Sequence, residues 1–239
     1  MSRLIERLKR TEDPLARTVL LHLRGAAHFA GRGHLWRRRA VHRHLVDESA
    51  PRLQIGSGGC TQPGWLNSDL IAGDIYIDLA RRLPLPNRAF AFVFGEHVIE
   101  HLSEPTGMEL LSELHRVSRP GGVVRLTTPD LRKIVAIYED RNPHVSLADY
   151  SCYLDDITGK RHERGCQVLN DFFRLWGHRH LYDEEDLTAK LHHAGFVEVT
   201  RQEPGESQHD ALRALERHGG EAWVNQAEAM CLEAVRGPG

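Results

Sequence analysis

Short apolar runs alternate with longer amphipathic stretches along the chain from residue 51 onward. Leu53–Gly56, Leu66–Leu70, Ile75–Leu79 and Ala89–Gly95 read as strands, as do Val123–Thr128, Phe196–Glu203 and Met230–Val235. Phe90, Phe92 and Phe94 recur at period two, the spacing of sheet core rather than of a ligand-stacking box. Residues 105–118 carry Leu110, Leu111, Leu114 and Val117 on one helical face, and Arg119-Pro120-Gly121-Gly122 turns the chain into the next strand. Further helices are predicted over 129–141, with Pro129 at the first position, over 183–194, with Asp183 as cap and Gly195 as stop, and over 208–218. Strands alternating with helices imply βαβ units and an α/β domain built on a mostly parallel seven-stranded sheet.

Two segments depart from this rhythm. Residues 1–50 read as a helical extension, with helices over 2–10, 14–25 and 34–46, before the main domain of 51–239. Residues 1–46 hold eleven Arg and Lys against Glu6, Glu12 and Asp13, and the run Arg37-Arg38-Arg39 is expected on a solvated helix face. These helices would either cap a pocket or form a homodimer, and the pattern leaves both open. Residues 142–182, rich in His, Asp, Tyr and Phe, read as an irregular insertion, and long loops of this kind commonly bind ligands or cover sites.

Composition narrows the class. Hydrophobic residues make up 41% and charged residues 27% of the 239, an ordinary globular balance. A net charge of −2 argues against nucleic acid as the main partner and directs attention to a small-molecule substrate. No apolar stretch approaches membrane-span length, so no membrane partner is expected. The four cysteines show no paired short spacing, which suits reduced thiols in a cytoplasmic protein and suggests neither disulfides nor a zinc knuckle.

The stretch Gln54-Ile55-Gly56-Ser57-Gly58-Gly59 runs a strand into a glycine cluster, which lets backbone approach a ligand closely. Pro63-Gly64 follows at once, and Asp69 arrives 13 positions after Gly56 without room for a full helix. A pyrophosphate needs a helix N-terminus, where aligned N–H groups stabilise its charge. The shortened loop therefore disfavours a nicotinamide dinucleotide.

The order of strand, Gly56-x-Gly58-Gly59, strand, Asp69, Asp78-Leu79 and Arg119-Pro120-Gly121-Gly122 resembles class I S-adenosylmethionine-dependent methyltransferases. Gly95-Glu96-His97-Val98-Ile99-Glu100-His101-Leu102, Leu114–Gly122 and Gly177–Asp183 place the likeness nearest to small-molecule enzymes of saccharide and natural-product biosynthesis, over roughly residues 52–236. The resemblance implies a Rossmann-like fold with S-adenosylmethionine as cofactor, held by Gly56, Ser57, Gly58, Asp69, Asp78, Leu79, Gly95 and Glu96. Asp69 would accept the ribose hydroxyls and Asp78 the adenine amino group. Gly95 and Glu96 would line the methionine end. Gln54 stands where the family often has an acid, and Phe90-Ala91 where it has Phe-Asp.

Methyl transfer to oxygen or nitrogen needs alignment and one group to handle the acceptor's proton, a role that suits histidine. His97, just past the fourth strand, is the first candidate, and His178 is its rival. His101 lies one turn beyond His97 on the same face. Asn170, Trp176, His178 and Tyr182 match the family's pattern for acceptor recognition, His180 and His101 are further acceptor-binding candidates, and Glu206, Ser207 and His209 would close the pocket floor. No metal is expected, since His178-x-His180 lacks an evident third ligand. A non-methylating reaction on the same cofactor, or a non-catalytic partner protein, would share these motifs.

Overall fold

A computed structural model of the chain describes residues 34–217 and 222–238, together with Leu23, Gly25, Ala26 and Ala30. Seven strands, β1 (Arg52–Ile55), β2 (Leu66–Asp69), β3 (Ile75–Tyr76), β4 (Phe90–Glu96), β5 (Ser118–Pro129), β6 (Phe196–Gln202) and β7 (Ala229–Arg236), form one sheet in the order β3-β2-β1-β4-β5-β7-β6. All neighbours pair in parallel except β7, which runs antiparallel to β5 and β6. This is the Rossmann-like, mostly parallel architecture that the alternating pattern predicts. The order reverses direction between β1 and β4, and in open α/β sheets ligands bind at the carboxyl ends of the strands at such a switch point.

Helices flank the sheet: α1 (His34–Asp47), α2 (Glu104–Val117), α3 (Leu131–Tyr138), α4 (Leu147–Thr158), α5 (Gly165–Arg174), α6 (Glu184–His193) and α7 (Ala222–Glu228). In α2, Leu110, Leu111, Leu114 and Val117 are buried against the sheet together with Leu53, Ile55, Val93 and Leu126. Asp183 caps α6, accepting from Asp186 N at 2.9 Å. α1 packs against β3, and Val41 joins the main core. The helix expected over 2–10 lies outside the described residues; of that over 14–25, Leu23 and Gly25 are described, both helical.

Four expectations are corrected. Residues 142–182 are not irregular: α4 and α5 pack with α3 into a second apolar cluster of Ile134, Ile137, Tyr150, Leu154, Val168, Phe172 and Leu181. Their apolar positions are few but correctly spaced, and the polar His162 is itself buried between Asp155 and Asp171. The helix over 208–218 is replaced by a single 3-10 turn, Asp210–Leu212, because Arg213 is extended and Ala214 takes a positive φ of 53°. That bend seats Leu212 and Leu215 on Trp65 and Phe94. Pro129 closes β5 instead of opening a helix, and Asp130 caps α3 by accepting from Arg132 N at 3.0 Å. Arg119–Gly122 lies within β5 as an irregularity opposite Phe90–Phe92 and does not precede the strand.

Candidate active site

The glycine turn follows β1 at the switch point, with Gly56 and Gly58 at φ of +60° and +52°. A side-chain carbon on Gly56 would lie 2.4 Å from Val98 Cγ2, so this position admits only hydrogen. Only turns lie between β1 and β2, as the short spacing predicts. Ser57 is buried, and its N–H donates to Ser68 O at 3.0 Å. Asp69, at the end of β2, accepts from Gly58 N at 2.9 Å and Ile71 N at 2.8 Å, so its carboxylate both faces the glycine turn and shapes it. The neutral Gln54 holds the loop from below: its Nε2 donates to Cys60 O at 2.9 Å and its Oε1 accepts from Gln62 N at 3.0 Å.

The remaining residues expected at the cofactor lie along the same edge. Asp78 accepts from Ala80 N at 3.0 Å and pairs with the exposed Arg81 at 3.1 Å, while Leu79 packs on the core. Gly95 is enclosed between Ile55 and Leu126 in the sheet. Glu96, the last residue of β4, accepts from Arg217 N at 2.8 Å, which brings the segment after β6 over the strand end.

Immediately beyond β4 lies a buried cluster. His97 adopts φ of +50°, unusual for a residue with a side chain, and its N–H donates to Thr127 O at 2.8 Å. Such strained positions concentrate at functional sites. His97 Nδ1 sits 3.2 Å from Oε1 of Glu100, whose side chain is fully buried. The other oxygen, Oε2, accepts from Thr128 Oγ1 at 3.0 Å. The Glu100 carbonyl accepts from Arg179 N at 2.7 Å and His180 N at 3.3 Å, which staples the loop after α5 to the 3-10 turn Ile99–His101. His178 is thereby brought back to this turn. Its Nδ1 contacts Phe172 O at 2.6 Å, and its ring meets those of His101 and Trp176 with centroids 5.1 Å and 5.8 Å away.

The cluster shifts the ionisation of its members. Burial opposes charge on His97, but the Glu100 carboxylate outweighs it and raises the imidazole. Burial would likewise raise Glu100, yet the hydrogen bond and charge of His97 hold it down at about 2. His178 is lowered, chiefly by burial. Ligand atoms of Glu100, His101 and His178 all lie within 4.8 Å of one another, an arrangement of donors suited to a metal ion.

His97, His101, His178 and Trp176 thus converge as neighbours, and Glu100 joins them. Glu100 has no assigned role in the sequence reading, although its position three residues after His97, on one face of a turn, is a usable signal. The other residues expected at the acceptor lie elsewhere. His180 turns away, its ring 4.5 Å from Tyr182 and its Nε2 3.4 Å from Asp186. Tyr182 is fully buried with its hydroxyl against Gly107, which makes it a core residue and corrects its expected place at the acceptor. Asn170, exposed on α5, lines a shallow cavity of about 310 Å³ with Lys160, Arg161, His162 and Asp171.

Arg125 ties the segment after β6 to the sheet. This fully buried guanidinium pairs with Glu216 at 2.6 Å and Glu233 at 2.8 Å, and donates to Glu206 O at 2.8 Å. Ser207 is buried nearby, and the His209 ring lies 5.7 Å from that of Phe92.

No curated protein matches the chain. Among solved structures, it is similar to the CurJ carbon methyltransferase, with 15% identity and a TM-score of 0.44 over 79% of this chain and 49% of that one, about half its length. It is similar to a SAM-dependent methyltransferase from Archaeoglobus fulgidus, with 17% identity, a TM-score of 0.47, and 84% and 91% coverage. A third similarity is to Haemonchus contortus phosphoethanolamine N-methyltransferase 2 in complex with S-adenosyl-L-methionine, with 13% identity, a TM-score of 0.43, and 84% and 52% coverage. The family described as a methyltransferase domain matches residues 12–201, which contain the glycine turn, Asp69 and the cluster beyond β4. With this match across most of the chain, the protein belongs to the methyltransferase-domain family.

Proposed function

We propose that this methyltransferase uses S-adenosylmethionine to methylate an oxygen or nitrogen of a small-molecule acceptor. The observation that carries this reading is the pairing of two features at the carboxyl ends of adjacent strands. One is a glycine turn with the Asp69 carboxylate beside it; the other is the histidine cluster directly after β4. When bound, S-adenosylmethionine supplies an electrophilic methyl group on a sulfonium.

Asp69 offers a charged acceptor for ribose hydroxyls, and Gly56 and Gly58 leave room for the ligand. Asp78 and Leu79 serve the adenine end. Gly95 and Glu96 serve the methionine end, next to His97 in sequence. His97 and His178 stand where the acceptor's hydroxyl or amine must arrive, and Trp176 supports the ring of His178. Alignment of donor and acceptor supplies the acceleration, worth up to roughly 7–11 kcal/mol in favourable cases. Gly25 lies against the backbone just past Asp69, since a side-chain carbon there would lie 2.0 Å from Leu70 O.

Incubation with methyl-labelled S-adenosylmethionine and a panel of hydroxyl- and amine-bearing saccharides and secondary metabolites tests the proposal. Label in a product is the expected result. Binding of S-adenosylhomocysteine with no labelled product from any acceptor would sink the transferase reading. Absence of that binding would overturn the cofactor assignment itself.

A further inference from the structure

We propose that Glu100, His101 and His178 form a binding site for a divalent transition-metal ion, which holds a hydroxyl oxygen of the acceptor. The inference rests on the methyltransferase reading for what the ion does, but not for whether it binds. Three observations carry it.

The first is the donor set. Two imidazoles and one carboxylate, with donor atoms within 4.8 Å of one another, come from two chain segments that meet here. Two nitrogens and one oxygen, with further positions open, suit zinc, manganese or iron(II) better than calcium or magnesium. An ion with bonds of roughly 2.0–2.2 Å would draw these donors together by about 1 Å, within reach of small side-chain rotations.

The second is the support behind two of the three donors. His178 Nδ1 meets the Phe172 carbonyl at 2.6 Å, and a backbone carbonyl there fixes the proton on Nδ1 and the lone pair on Nε2. Metal-bound histidines commonly have this partner. Glu100 is anchored through Oε2 by Thr128 of β5, and its own carbonyl holds Arg179 and His180, the residues next to His178. The carboxylate and His178 are thus fixed relative to each other by three elements before any ion arrives.

The third is the position. His101 and Glu100 lie on the turn that follows β4, and the glycine turn follows the adjacent β1. An ion here has its open positions near the point where donor and acceptor meet. A metal-bound hydroxyl loses its proton more readily, as metal-bound water does. The proton leaves to a water molecule, and the oxygen remains on the ion as the nucleophile. This favours an oxygen acceptor, and in particular one with a second oxygen able to occupy another open position, such as a vicinal diol.

The test uses the full chain without an affinity tag, in the absence of any methyl donor or acceptor. Metal content of the purified protein is measured, the protein is stripped with chelator, and cobalt(II) is titrated while visible absorption is recorded. We expect one cobalt per chain with the absorption of a nitrogen-and-oxygen site. His178→Ala and His101→Ala, both at partly exposed positions, should each weaken binding by about 100-fold while their melting temperatures stay near that of the parent. No stoichiometric binding by the parent, or unchanged affinity in both variants, overturns the site. Calorimetry with S-adenosylhomocysteine separates the two readings: cofactor binding without cobalt binding refutes the metal alone, and cobalt binding without cofactor binding refutes the methyltransferase assignment alone.

Discussion

Replacing Arg125 with methionine should be among the most damaging single changes that leave the hydrophobic core untouched. The side chain is wholly buried, and the two carboxylates it neutralises, Glu216 and Glu233, are exposed by only 3% and 4%. Glu233 is its direct cross-strand partner on β7. Glu216 also accepts from Thr127 Oγ1 at 3.0 Å and Gly205 N at 2.9 Å, so the network is satisfied on every side. Methionine fills similar space but leaves two carboxylates without a counter-ion in a dry environment. Removing one partner from a buried pair costs about 3–5 kcal/mol. At roughly 2–4 °C per kcal/mol for a chain of this size, Arg125→Met should lower the melting temperature by about 6–20 °C. Thermal unfolding followed by circular dichroism reads this directly. The triple variant Arg125→Met, Glu216→Gln, Glu233→Gln removes the stranded charges and should recover much of the loss. A single variant that melts with the parent, or a triple variant no better than the single, would refute the electrostatic account. Because Arg217 N donates to Glu96, affinity for S-adenosylhomocysteine should fall in the single variant as well.

Three further predictions follow from particular contacts. Gly56→Ala places a carbon 2.4 Å from Val98 Cγ2 at a φ of +60°, with backbone strain of about 1–2 kcal/mol in addition. It should lower both melting temperature and S-adenosylhomocysteine affinity, and Val98→Ala in that background should restore the steric part; a double variant no more stable than the single would remove the clash argument. Asp69→Asn should keep only one of the two loop bonds, since its single amide oxygen can accept from Gly58 N or Ile71 N but not both, and calorimetry should show a loss of about 1.5–3 kcal/mol in affinity with a smaller fall in melting temperature. Unchanged affinity would show that the ribose lies elsewhere. His162 bridges Asp155 at 2.7 Å and Asp171 at 3.0 Å, joining α4 to α5. Burial opposes its charge, but the two carboxylates prevail and raise it above its ordinary 6.5. Its stabilisation is therefore complete below that ordinary value and lost as pH rises through the higher folded one. Asp155, lowered from 3.8 by His162, contributes above its ordinary value and loses that contribution in acid. The melting-temperature gap between the parent and His162→Gln should be widest between 3.8 and 6.5 and shrink in alkali, and a gap insensitive to alkali would contradict the bridge.

The seven strands, α2 and the Asp183 cap were legible because their signals are local. Period-two and helical apolar spacing, capping residues and glycine turns act over a few positions. The glycine turn and Asp69 were legible for the same reason, since close backbone approach and a carboxylate at a strand end are properties of short segments. Tertiary structure alone decided the rest. The apolar residues of α4 and α5 are too sparse to announce helices until Ile134 and Ile137 of α3 provide a face to cover. Tyr182, read as an acceptor contact, is drawn into the core because its backbone bridges Asp130, just past β5, and its hydroxyl packs against Gly107 of α2. Glu100 gains meaning only when the loop after α5 returns His178 to its side, and Arg125 only when Glu216 and Glu233 reach it from distant segments. Burial and charge compensation depend on which groups meet across the fold, and neither is written in the spacing of residues along the chain.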